Sequence, residues 1–111
     1  MENAAFEAQA GSLESGDLLV LLRHKGRGGG LSIQLHSPVK AQFGAHVTQV
    51  VEAVLAEHNI HDADVLINDR GALDYAIRAR VAACAERFRA LSSSPAAGSP
   101  GSASGSEGPR P

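Results

Sequence analysis

Apolar residues along the chain fall into two periods. Residues 17–24, DLLVLLRH, form an unbroken apolar run with polar ends. Its length favours a strand over a helix. LSIQLHS then alternates strictly, with Leu31, Ile33 and Leu35 facing one way and Ser32, Gln34 and His36 the other, as in a half-buried strand. Lys25 to Gly30, between the two runs, reads as a hairpin loop. From residue 43 the period changes: Phe43, Val47, Val50, Val51, Val54 and Leu55 recur at threes and fours and predict an amphipathic helix. Ser37 suits its cap and Pro38 its first turn, and Asn59 suits the stop. ADVLIND, with Ala63, Val65 and Ile67 on one face, predicts another strand. Asp69-Arg70-Gly71 makes a turn, with Asp69 a candidate cap. Leu73, Ile77, Val81, Cys84 and Phe88 then mark a second helix.

The predicted order is strand, strand, helix, strand, helix. This is an α+β fold of two layers, with about three strands under two helices. The strand–helix–strand part suits a parallel crossover, and the pattern leaves the strand order open. Composition sets the boundaries. From Ser92 the chain is almost all Ser, Gly, Pro and Ala, which cannot bury enough apolar surface to order itself. Residues 92–111 therefore read as a disordered tail, 17–91 as the folded domain, and 1–16 as a flexible lead-in.

The formal net charge of −2 gives no general attraction to nucleic acid or anionic membrane. Aromatic content of 4% is too sparse for a base-stacking surface. No run reaches transmembrane length, and the N-terminus, with Glu2 and Glu7, lacks the basic and apolar regions of a secretory signal. A single cysteine, Cys84, excludes an internal disulfide and suits a reducing compartment, so a cytoplasmic location is expected.

Few residues offer chemistry of their own. RHKGRGGG has basic side chains and backbone amides that suit phosphate, but lacks the Gly-Lys-Ser/Thr ending of a P-loop and precedes a strand. A hairpin loop is the plainer reading, with contact to a phosphate on another molecule left open. His58 and His61 have a metal-like spacing, but no cysteine or acidic cluster completes a ligand set, so no metal site is expected. Cys84 lies on an apolar stripe and reads as a core residue. Arg78 and Arg80 read as a solvated helix face, with docking of an acidic partner the sharper alternative. Glu14 and Asp17 flank Ser15 without forming an acid–base pair. Ser12 and Ser15, in GSLESGD, sit ahead of the first apolar run. Nothing in the segment itself prefers one serine as a point of attachment.

Three segments change that. AGSLESGD at 10–17, QFG at 42–44 and NDRGALDYAIRARVAA at 68–83 resemble, in order and spacing, the acyl carrier subunit (gamma chain) of citrate lyase. The likeness runs from about Ala10 to Phe88. It implies a non-catalytic carrier subunit whose prosthetic group, a phosphoribosyl-dephospho-coenzyme A, is joined by a phosphodiester to the serine after Leu-Glu. That serine is Ser15 here, and Ser12 stands where a threonine is usual in the family and is not the modified position. Gly16 replaces a second serine common in the family and suggests slack at the base of the arm. Asp17 is left as either a strand-start residue or a contact for the modifying enzyme.

The resemblance also implies partners: an alpha subunit exchanging acetyl for citrate on the arm, a beta subunit cleaving the citryl thioester to oxaloacetate, and a prosthetic-group transferase. Two alternatives are carried forward. The acyl carrier subunit of malonate decarboxylase shares Ser-Gly-Asp before an apolar strand. A non-catalytic interaction subunit without a covalent arm belongs to another class.

Overall fold

The computed structural model describes residues 6–93. The elements are β1 (Glu7–Gly11), β2 (Leu18–His24), β3 (Leu31–His36), α1 (Lys40–Glu57), β4 (Ala63–Asp69) and α2 (Asp74–Ser93). The four strands form one sheet in the order β1-β2-β4-β3. β2 runs antiparallel to β1 and β4, while β3 runs parallel to β4. The architecture is the expected α+β arrangement, with α1 over β3, and α2 over β1 and β2. Residues 1–5 and 94–111 lie outside the described residues, and with them most of the stretch read as a disordered tail; α2 itself runs to Ser93.

Strand alternation builds the core. Leu18, Val20 and Leu22 of β2 face the helices, and their partners in β4 are Asp69, Ile67 and Val65. Parallel pairing sets Leu35 beside Ile67. Val47, Val50, Val51, Val54 and Leu55 of α1, and Ile77, Val81, Cys84, Ala85 and Phe88 of α2, close over them. Burying each large aliphatic side chain of this set contributes roughly 1.5–3 kcal/mol. Asn59 ends α1 as expected: its φ is 59°. Its amide donates to the Ala56 carbonyl at 3.0 Å and that of Ile60 to the Leu55 carbonyl at 2.9 Å, the paired bonds of a Schellman motif.

Five features differ from the sequence reading. First, the sheet has a fourth strand, β1, inside the stretch read as a flexible lead-in. Its apolar face is only Ala8 and Ala10, too small to mark a strand, yet both are buried under α2. Glu7, directly across from Arg23, accepts a hydrogen bond from its Nε at 2.7 Å.

Second, β2 and β3 are not a hairpin, because β4 lies between them. β4 pairs on both edges, antiparallel with β2 and parallel with β3. The Lys25–Gly30 loop therefore steps over the start of β4, where both His24 and Leu31 pair with Ala63.

Third, α1 begins at Lys40 with no side-chain cap. Ser37 does not cap it, because Pro38 and Val39 form a turn ahead of the helix; the Ser37 hydroxyl donates to buried Asp69 at 2.7 Å and accepts from the Val39 amide at 3.1 Å within that turn. Fourth, Asp69 does not cap α2. Its carboxylate accepts from the amides of Gly71 (3.1 Å) and Ala72 (2.8 Å) and so fixes the turn after β4. Fifth, Phe43 and Leu73 follow the helical period but are 51% and 65% exposed. They line an open groove with Val39, Val47 and Ile77 rather than the core.

Candidate functional site

Ser15 sits at the crest of a turn between β1 and β2. The Asp17 amide donates to the Glu14 carbonyl at 3.0 Å and closes the turn. Gly16 occupies its third position with φ of 84°, the left-handed value that a side chain resists. The Gly16 amide donates to the Arg70 carbonyl at 2.7 Å, and the Arg70 amide to the Asp17 carbonyl at 2.9 Å. The crest is thus tied by backbone bonds to the turn that follows β4. Gly16 supplies a required shape here, where the sequence suggested slack.

Asp17 organises the turn from within. Its Oδ1 accepts from its neighbour's amide, Leu18 N, at 2.7 Å. The Ser12 hydroxyl donates to Oδ2 at 2.7 Å. From α2, Arg80 donates through Nε to Oδ1 and through Nη2 to Oδ2, both at 2.9 Å. This two-pronged pairing fits the planar fork of a guanidinium to a carboxylate. Arg80 first, then Ser12 and the Leu18 amide, hold the Asp17 carboxyl at about 2. Of the two open readings of Asp17, its side chain fits the structural one: it stands at the start of β2 and is committed to the turn.

The two serines separate cleanly. Ser12 is half-buried, and its hydroxyl both donates to Asp17 and accepts from the Glu14 amide at 3.2 Å. Ser15 is exposed, and its hydroxyl has no hydrogen-bond partner among the described residues. One hydroxyl is spent on structure and the other is presented to solvent. Sequence reasoning named Ser15 but missed Arg80 as part of the site. The only signal would have been a correlation between positions 17 and 80, which a single sequence does not contain.

The remaining candidates are not gathered at this site. The glycine-rich loop already uses its amides: Gly30 N donates to Asp62 Oδ1 at 2.7 Å, and that bond, with one from Gly28, lowers the Asp62 carboxyl below its ordinary value. His58 caps α1, its Nδ1 lying 3.0 Å from the Val54 carbonyl, and His61 is exposed. Among the described residues no three of His, Cys, Asp and Glu cluster as a metal would need. Cys84 is fully buried, its Sγ 3.2 Å from the Ala8 carbonyl, and burial pushes its thiol up to about 11. Arg78 pairs with Glu57 of α1 at 3.8 Å. Among the described residues no helix is long and apolar enough to cross a membrane.

Comparison with known proteins places this geometry. The family model described as malonate decarboxylase delta subunit, an acyl carrier protein family, matches residues 6–88. The citrate lyase acyl carrier protein of Albidiferax ferrireducens is 47% identical over 75 residues, covering 68% of this chain and 76% of the relative. That of Lactococcus lactis is 45% identical over 80 residues, covering 72% and 81%. A subunit in the crystal structure of a Pseudomonas malonate decarboxylase hetero-tetramer in complex with malonate superposes with a TM-score of 0.60 at 28% identity, covering 79% of this chain and 99% of that subunit. By sequence and by fold, this chain belongs to the acyl carrier protein family that includes the citrate lyase acyl carrier proteins and the malonate decarboxylase delta subunit.

Proposed function

We propose that the chain is the acyl carrier subunit of a citrate lyase, and that Ser15 Oγ is the covalent attachment point of a phosphoribosyl-dephospho-coenzyme A group. The observation that carries this reading is the contrast between the serines: Ser15 offers an exposed, unbonded hydroxyl on a fixed turn, while Ser12 is consumed by Asp17. A modifying enzyme needs a reachable hydroxyl held in one place, and a turn on a sheet edge supplies both. The residues around Ser15 fit such a group, since nothing within the described chain occupies its oxygen. Once attached, the group supplies the thiol that carries acetyl and citryl units between partner active sites. The protein's part is to present the arm and keep its base fixed, which raises the local concentration of the acyl group at each partner.

On this reading the chain performs no catalysis by itself. Its partners are an alpha subunit that exchanges acetyl for citrate, a beta subunit that cleaves the citryl unit to oxaloacetate, and a prosthetic-group transferase. The setting is cytoplasmic. Citrate lyase acyl carrier proteins at 45–47% identity favour this assembly. A second reading, the carrier of a malonate decarboxylase, is favoured by the matching family model and by the 28% identical subunit in the malonate complex.

Assembly with each set of partner subunits distinguishes them. Citrate cleavage restored by the wild-type chain and by Ser12→Ala, but lost with Ser15→Ala, is the expected result. Malonate decarboxylation without citrate cleavage would replace the first reading by the second. Full citrate cleavage with Ser15→Ala would remove Ser15 from either.

A further inference from the structure

Arg70 occupies a singular position among the arginines. Arg23, Arg78 and Arg80 are paired with Glu7, Glu57 and Asp17. Arg87 and Arg89 donate to the carbonyls of Gln9 (2.6 Å) and His58 (2.8 Å). Among the described residues only Arg27 and Arg70 lack an acceptor. Arg27 lies in the loop over the start of β4, next to Asn59 and His61. Arg70 lies at the other end of β4, where its carbonyl accepts from Gly16 and its amide donates to Asp17.

Its backbone is therefore fixed, through both its amide and its carbonyl, to the two residues that follow Ser15, while its side chain is exposed and uncommitted. The preceding residue is anchored too, because buried Asp69 holds Ser37 and the Gly71 and Ala72 amides. An arginine stem is long enough to bring its guanidinium over a group carried one residue from its own backbone bond. Within the turn itself the charged groups are Glu14, exposed and acidic, and Asp17, which is paired with Arg80. His36 lies across a cleft of about 290 Å³ that Arg70 also lines.

An anion on Ser15 Oγ would thus meet one acidic neighbour, one closed ion pair and one free cation. Guanidinium offers two parallel donors to phosphate oxygens, a stronger match than a point charge. We propose that Arg70 is the anion-binding residue of the attachment turn, its guanidinium holding the phosphate oxygens of the group carried on Ser15. The proposal rests on Ser15 as the attachment point. It adds a contact that directs the first linkage of the arm toward the C-terminal end of β4.

The test uses the full chain with phosphoserine installed at position 15 and ³¹P NMR titration of that phosphate. An unperturbed phosphoserine has its second ionisation at about 6. A guanidinium beside it favours the dianion and lowers that midpoint. The wild-type midpoint is expected to lie at least about half a unit below that of Arg70→Gln, with Arg70→Lys between them. The Gly16 amide resonance should stay in place in both variants, since it bonds to the backbone carbonyl of Arg70 and not to its side chain. Equal midpoints in the wild type and Arg70→Gln, or in the wild type and a disordered peptide of residues 10–20, would overturn the proposal. Phosphoserine reports this contact whether or not cells ever attach the arm, so its failure is distinct from failure of the carrier reading.

Discussion

Asp17 and Arg80 stand 63 residues apart in sequence, yet both carboxylate oxygens of Asp17 accept from the Arg80 guanidinium at 2.9 Å. The pair pins the turn that carries Ser15 to α2. Arg80→Ala should lower the cooperative unfolding transition only modestly, since the pair is partly exposed and screened by solvent and the core residues of α2 lie on its other face. Amide exchange at Gly16 and Asp17 should quicken on the order of tenfold, because local opening costs less than global unfolding. Exchange unchanged at these amides would show that the pair does not hold the turn.

The same contact fixes an acid response. A folded carboxyl lowered from 3.8 to about 2 contributes stability that is present above the unfolded value and lost as pH falls through the folded one. The Leu18 amide shift, which reads its bond to Asp17 Oδ1, should therefore titrate with a midpoint near 2 and not near 4. In Arg80→Ala the midpoint should rise toward the ordinary aspartate value.

How far this site was legible from sequence depends on the range of each contact. Elements set by local period were readable: the stripe from Ile77 to Phe88, the alternation of β4, and the stop at Asn59. β1 was not, because Ala8 and Ala10 are too small to register until α2 packs on them. The β2–β3 hairpin was misread because loop chemistry says nothing about a third strand entering between two others. Ser37 failed as a cap because Pro38 and Val39 turn before the helix begins, and its hydroxyl joins Asp69, 32 residues away, to the Val39 amide. Ser15 was reached through resemblance; what the structure adds is the physical difference between it and Ser12.

Gly11 ends β1 with φ of 95°, and a Cβ there would lie 1.8 Å from the Leu18 carbonyl oxygen. No side-chain rotation relieves a clash with backbone. Gly11→Ala should cost roughly 2–3 kcal/mol in chemical denaturation, the scale of strained φ combined with displaced backbone. It should also weaken the Ser12 amide bond to the same carbonyl, now 3.2 Å. A loss below about 0.5 kcal/mol, the ordinary range of surface changes, would contradict the close approach.

Cys84 is the chain's one cysteine and is fully buried. With its thiol pushed up to about 11, it should not react with an aromatic disulfide reagent in the native, unloaded protein at neutral pH. One thiol should appear on denaturation. The native, loaded protein should show one reactive thiol, belonging to the arm. Rapid reaction of the native, unloaded chain would contradict the core placement of Cys84.

The attachment itself is tested most directly by intact mass of the chain co-expressed with its prosthetic-group transferase and partner subunits. The wild type and Ser12→Ala are expected to carry the added mass of phosphoribosyl-dephospho-coenzyme A, and Ser15→Ala the mass of the bare chain. A bare wild-type chain in an active complex, or the full added mass on Ser15→Ala, would contradict the account.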